Sequence, residues 1–281
     1  MYLIRKDIIV RNVNVEGIIT NVSPLRIGAG RDYINLGSSA NVTLLRDSNL
    51  NPYIPGSSWK GVFRSTGERI AKGRGIKVCT GLTDETCMDE RKKEFNNLIK
   101  RHEIDEAKEL VWESTCLNCK LFGAPSLSSA LLFFDSLPSR YNIGVRTMIA
   151  INRKTGTVVS NALAIVEYVE PGAEFHFRVL GSNLPNYAIG YLIKIMRYLH
   201  EDLSQIGGYK SRGFGFIRFK ELELKVVHRS DVSGSGTKLK ALDEYDADSE
   251  YVEGKFDGDT FFKNMRNLEE VFDGAKLEYP M

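Results

Sequence analysis

Four cysteines fall within one stretch of the chain, at Cys79, Cys87, Cys116 and Cys119. The second pair, in "CLNC", is a C-x₂-C knuckle, a spacing that sets two thiolates on one side of a metal ion. The first pair, in "CTGLTDETC", is C-x₇-C, a looser spacing. Together they read as a Cys₄ zinc site folding a polar segment that has little core of its own. Disulfides are the rival reading, suited to an oxidising compartment or a hyperthermophile. Free core thiols are the plainest alternative. His102 lies between the two pairs and offers a substitute ligand.

A second chemistry is anion binding. "GGYKSRGFG" (Gly207–Gly215) sets four glycines and two cations, Lys210 and Arg212, between a helix end and a strand start. Glycine lets backbone N–H groups approach an anion closely, and the two side chains supply charge. "PGSSWKGVFR" (Pro55–Arg64) opens a helix with two hydroxyls, Ser57 and Ser58, and the cations Lys60 and Arg64. Free N–H groups and the positive dipole end there suit a phosphate. "KSRGFGFIRF" also resembles the RNA-contacting strand of an RRM. Its companion strand is missing from the window before it, so Phe214, Phe216 and Phe219 read as core aromatics on a half-buried strand.

The rest of the chain must position these groups. "VNVEGIITNV" alternates apolar and polar residues as a strand. A Gly/Ser-rich loop follows. A helix then starts at Ser57 or Ser58, buries Trp59, Val62, Phe63 and Ile70, and stops at Gly73. Residues 74–124, polar and helical in pattern, read as an insertion carrying the cysteines. "ALLFFDSL" reads as a buried strand. "GVRTMIAINRKTGTVVSNALAIVEYV" reads as a long hairpin with "NRKTG" at its tip, and "AEFHFRVLG" as a strand. An apolar stripe predicts a helix over Tyr187–Ile206, and "FGFIRFKELEL" closes the series as a strand. The order strand, helix, strand, strand, helix, strand is that of a ferredoxin-like, RRM-like α+β core.

Charge divides the 281 residues. Residues 230–281 hold 6 Lys+Arg and 13 Asp+Glu, leaving 32 basic and 23 acidic residues in 1–229. A basic body suggests a polyanionic partner. "SDVSGSGTK" reads as a linker, and the acidic extension 230–281 as a tethered tail whose "FFKNMRNLEEVF" helix docks on a neighbour. No apolar run is long enough to span a membrane and no signal-peptide core is present, so the cytoplasm is the expected location.

Five segments in order carry a resemblance to the RAMP superfamily, the RNA-binding subunits of CRISPR effector complexes. "GGYKSRGFGFIRF" resembles the family's glycine-rich loop, and "SPLRIGAG" the turn after its first strand. "NPYIPGSSWKGVFRS" is similar to its first-helix segment, and "CKLFG" to its Leu-Phe-Gly element. The hairpin over 141–170 resembles the thumb of type III (Csm/Cmr-type) backbone subunits. The resemblance spans Asn12 to Leu224 and implies guide RNA, target RNA and other RAMP subunits as partners. It implies guide-backbone contacts from Ser57, Ser58, Lys60, Arg64, Lys210 and Arg212. The thumb cations Arg146, Arg153 and Lys154 hold phosphates in that reading while its apolar residues wedge between bases.

The resemblance also raises cleavage. In some type III subunits a loop Asp cuts target RNA with a divalent metal and the substrate's own 2′-hydroxyl. The family's position falls here on Asn41, or on Ala40 with one gap, and neither is an acid. Asp32, earlier in the same loop, is the candidate catalytic carboxylate; a solvated loop acid is its plainer reading. Guide-processing relatives use a His near the first helix, and His102, His176, His200 and His228 all miss that region.

Overall fold

The computed structural model describes residues 2–28, 40, 42–82 and 84–278. In chain order its elements are β1 (Arg11–Asn21), α1 (Gly56–Gly73), α2 (Lys92–Lys100), α3 (Ile104–Ser114), α4 (Leu117–Phe122), β2 (Leu131–Phe133), β3 (Pro138–Arg140), β4 (Ile143–Ile151), β5 (Val158–Val169), β6 (Glu174–Ser182), α5 (Asn186–His200), β7 (Ile217–His228), β8 (Gly234–Ser235), β9 (Lys238–Leu239), β10 (Ser249–Glu250), β11 (Lys255–Phe256), α6 (Gly258–Asn264) and α7 (Arg266–Gly274). The protein is an α+β molecule with antiparallel sheets.

Alternation makes β1 the centre of the main sheet. Val13, Val15 and Ile19 are buried on one face, so both edges of the strand are free to pair. It pairs antiparallel with β6 and with β7, giving the order β11-β7-β1-β6-β2. Two β–α–β units therefore interleave, each with a strand of the other between its own two. Helices α1 and α5 cover the buried face. Trp59 and Phe63 of α1 meet Phe177 of β6 with ring centroids 5.1 and 6.0 Å apart, and Phe177 meets Phe219 of β7 at 5.1 Å. Such edge-on and offset contacts add to the area these rings bury. Phe214 and Phe219 are thus core aromatics, as the missing companion strand implies.

Four local expectations are corrected. Helix α1 begins after Pro55 and has no hydroxyl cap; the Gly56 N–H donates instead to Asp135 Oδ1 at 2.7 Å. Helix α5 ends at His200, not Ile206. Asp202 turns left-handed there and its carboxylate meets the Arg218 guanidinium at 2.6 Å, leaving Leu203 exposed. The segment 74–124 is not wholly peripheral: α2 buries nothing, but every residue of α4 is buried and Phe122 stacks on Phe133. "ALLFFDSL" is half buried only, with Leu132 pointing to solvent.

The tethered tail is the largest correction. Residues 230–278 are built into the body. β11 adds to β7 at the sheet edge, and α7 packs along α5. Phe261, Met265, Leu268 and Phe272 are fully buried. "SDVSGSGTK" is a clamp rather than a linker. The fully buried Arg11 guanidinium donates to Leu184 O, Asn186 Oδ1, Ser233 O and Lys240 O at 2.7–2.9 Å. The acids of the extension meet cations of the body: Glu269 with Arg197 at 2.6 Å, and Asp273 with Lys194 at 2.6 Å and Arg74 at 3.4 Å.

Phe272 packs on Tyr191 at 4.8 Å and lies under Arg74. Phe272→Ala is expected to cost about 3–5 kcal/mol in urea unfolding, and truncation after Ser230 to abolish the cooperative transition. A truncated body with wild-type stability would restore the tail as a tether.

Candidate nucleic-acid interface and cysteine cluster

Two chain segments far apart in sequence make the centre of the site. The turn after β1 (Pro24–Arg26) and the glycine-rich loop before β7 lie main chain on main chain. Gly208 N–H donates to Arg26 O and Gly215 N–H to Pro24 O, each at 2.9 Å. Gly207 and Gly215 have φ of +85° and +89°, and a Cβ on either would overlap a backbone carbonyl. No other residue type fits both demands.

This contact gathers three guanidinium groups over three rings. Arg26 and Arg212 lie 5.2 and 5.1 Å from the centroid of Tyr209. Arg146, from β4, lies 5.3 Å from Tyr168 and 5.1 Å from Phe214. Tyr209 and Tyr168 each stand 5.8 Å from Phe214, and Arg212 Nη1 reaches Met148 Sδ at 3.0 Å. None of these arginines ion-pairs with a carboxylate among the described residues. Burial lowers Arg26 from its ordinary pKa. Lys210 is exposed on the same loop, lowered by burial and by Arg69 of α1. Cations set side by side without an acid make a surface for a polyanion.

The other sequence-predicted residues divide. Ser57 is exposed, and Ser58 and Lys60 are half exposed at the start of α1. The Gly56 N–H at the helix terminus is already taken by Asp135. Arg153 and Lys154 are exposed in the turn joining β4 and β5. That two-stranded hairpin projects from the body, with Val145, Ile149, Ile151, Val158 and Leu163 between 48 and 57% exposed. An isolated hairpin of this kind is marginal in water, and its root is pinned. Glu167, buried, accepts from Leu44 N–H at 3.1 Å and pairs with Arg46 at 3.3 Å. Asp32 and Asn41 lie outside the described residues; Ala40 is buried. Arg26, Arg69 and Tyr209 were not singled out by sequence reasoning. The only signal for Arg26 was the turn motif containing it.

Arg64 turns away from this surface toward the cysteines. The Sγ atoms of Cys79, Cys87, Cys116 and Cys119 all lie within 4.8 Å of one another. Cys79 and Cys87 sit on loops; Cys116 and Cys119 flank the first turn of α4. Hydrogen bonding among the thiols divides them, pulling Cys79 far below the ordinary thiol range and Cys116 down to about 7 while pushing Cys87 and Cys119 up. His102 is exposed and outside the cluster. Four sulfurs at this separation can hold a metal ion.

A family model for the RAMP superfamily matches residues 18–218. The chain belongs to the RAMP superfamily. The CRISPR system Cms endoribonuclease Csm3 of Methanocaldococcus jannaschii is 25% identical over 250 residues, 84% of this chain and 89% of that protein. The family match takes in the end of β1, α1, the hairpin, α5 and the glycine loop, so every segment of the Arg26–Tyr209–Arg212–Arg146 group is within the RAMP portion. The clamp formed by 230–281 lies beyond it. No described helix is long and apolar enough to cross a membrane.

Glu167→Ala strands the Arg46 charge at the hairpin root. Its expected cost is about 3–5 kcal/mol in urea unfolding; a cost below about 1 kcal/mol would mean that this pair does not hold the root.

Proposed function

We propose that this RAMP protein is a guide-RNA-binding backbone subunit of a type III CRISPR interference complex, displaying the guide for pairing with target RNA in antiviral defence. The observation that carries the reading is the group of Arg26, Arg146 and Arg212 stacked on Tyr209, Tyr168 and Phe214. Three separate segments contribute it, and no acid neutralises it among the described residues. Guanidinium groups preorganised on rings grip phosphates while the partly exposed Tyr209 and Tyr168 accept unstacked bases and the buried Phe214 supports them. Such a protein reads backbone shape and leaves sequence to base pairing. The likeness to Csm3 supports the placement in a type III complex, with other RAMP subunits as neighbours and the cytoplasm as location. The interleaved β–α–β units are read as the ferredoxin-like core of the family.

In this proposal Ser57, Ser58 and Lys60 bind phosphates beside Lys210 and Arg212. Arg153 and Lys154 bind them at the end of the thumb hairpin. The exposed apolar residues of the thumb wedge into the guide–target duplex. The cysteines hold structural zinc. A tetrahedron with zinc–sulfur bonds of about 2.3 Å has sulfur–sulfur edges of about 3.8 Å, and the sulfur pairs here include 3.2, 3.8 and 4.0 Å.

A second reading is favoured by the name of the relative, an endoribonuclease. Asp32 would then hold a divalent metal or orient the 2′-hydroxyl attack on the target. Metal-dependent cutting of a guide-paired target should disappear in Asp32→Ala; cutting that survives assigns the chemistry elsewhere.

Affinity for single-stranded RNA should fall with salt on a log–log slope of several units. Reversing Lys60, Lys210 and Arg212 to Glu should abolish binding, and Arg26→Ala should weaken it for all sequences alike. Wild-type affinity in the triple variant contradicts the phosphate surface. The purified protein should carry about one zinc equivalent, lost in Cys116→Ser with Cys119→Ser together with protease resistance over 74–124. A zinc-free protein of equal resistance contradicts the metal site.

A further inference from the structure

The glycine-rich loop leaves the end of α5 and returns into β7, and its base is clasped at two points. The Asp202 carboxylate meets the Arg218 guanidinium at 2.5 and 2.6 Å. The second clasp is buried: the Phe219 N–H donates to His200 Nδ1 at 3.0 Å. Inside the loop, Gln205 Nε2 donates to Lys210 O at 2.9 Å and to Phe214 O at 2.8 Å. The chain that carries Tyr209, Lys210 and Arg212 is thus braced from its base upward.

A backbone N–H can only donate, so Nδ1 of His200 carries the lone pair and the ring proton sits on Nε2. There it faces Asp259 Oδ1 of α6 at 3.3 Å. His200 is 7% exposed, its ring centroid lies 5.2 Å from that of Phe262, and a Cβ on Gly258 would overlap its Cε1 atom. The extension therefore holds the imidazole against the loop base. The charged groups that act on the ring are Asp259 of α6, Arg218 of β7, Glu201 after α5 and the neighbouring Asp202. A second proton on this ring goes to Nδ1, where it meets the Phe219 N–H donor to donor.

We infer that neutral His200 is a positioning residue for the glycine-rich loop, seated by the extension, and that its protonation unclasps the loop base. The inference rests on the reading of that loop as an RNA contact. Burial lowers the His200 pKa from its ordinary 6.5, outweighing the opposite pull of Asp259. A proton is bound more readily by the released ring than by the seated one. The clasp is at full strength above about pH 6.5 and weakens as pH falls below it. Lysine and arginine keep their charge over this range, so cation content alone gives no reason for the loop to loosen.

The test is amide hydrogen exchange over 203–219, with RNA affinity at fixed salt, on the full chain at about pH 7.5 and about pH 5.5. The proteins are wild type, His200→Asn and His200→Leu. The first variant keeps an acceptor for the Phe219 N–H that does not titrate, and the second offers none. Corrected for the intrinsic pH dependence of exchange, wild-type protection of the Phe219 amide is expected to fall by about tenfold at the lower pH. His200→Asn is expected to show no such fall and to keep RNA affinity near the wild-type value at the higher pH. His200→Leu is expected to lose about fivefold or more in protection at both pH values and to bind RNA more weakly. If His200→Leu fails to fold, the exchange profile of His200→Asn decides. Wild-type protection that does not change with pH, or a fall that persists in His200→Asn, overturns the inference. So does wild-type RNA affinity in His200→Leu once exchange shows its clasp open, which leaves His200 with a structural role only. A wild-type protein without RNA affinity refutes the RNA reading instead, and the exchange profiles still decide the clasp.

Discussion

Main chain lying on main chain is the constraint from which the surface follows. The Pro24–Arg26 turn and the glycine-rich loop share two backbone hydrogen bonds, and Ile206 N–H donates back to Gly215 O at 2.9 Å. Side chains have no room between them. Tyr209 is therefore thrust outward in a left-handed conformation, with φ of +58°, between Arg26 and Arg212. Phe214 is driven inward, where it forms the floor under Arg146. The thumb hairpin is oriented by the same contact, because Arg146 and Met148 both belong to β4. One close approach thus sets cations from the first turn, the hairpin and the last loop on a single surface.

The remainder of the molecule keeps that approach rigid. β1 and β7 feed its two sides and pair with each other throughout, so the loop ends cannot separate without breaking the sheet. The extension over 230–278 packs on α5 and pairs with β7. Its acids meet Arg197, Lys194 and Arg74 there.

Periodic elements were legible because their signal is local. β1, β6, α1 and the hairpin follow from alternation, helical spacing and turn residues. The end of α5 was not, since the apolar stripe runs on to Ile206 while an Asp202–Arg218 pair stops the helix. The extension was misread for a similar reason. Ser233 and Gly234 look like linker residues by composition, but Ser233 O is an acceptor for Arg11, more than two hundred positions away. In the site, Arg146, Lys210 and Arg212 could be named from charge and glycine content. Arg26 could not, since its role depends on Tyr209. Helical phase placed Arg64 beside Lys60, and only the packing of the Gly81 loop shows that the long side chain turns to sulfur. The cysteine cluster was legible from spacing alone, because C-x₂-C already commits two ligands to one point.

Backbone geometry, not charge content, assembles the proposed RNA surface. Gly207→Ala tests this most directly, since a Cβ there would overlap Arg26 O and force the turn and the loop apart while leaving every cation in the chain. RNA affinity at fixed salt, measured on protein that circular dichroism shows to be folded, should fall by about tenfold or more, with a shallower salt slope as phosphate contacts are lost. Wild-type affinity and slope in that variant would contradict the account.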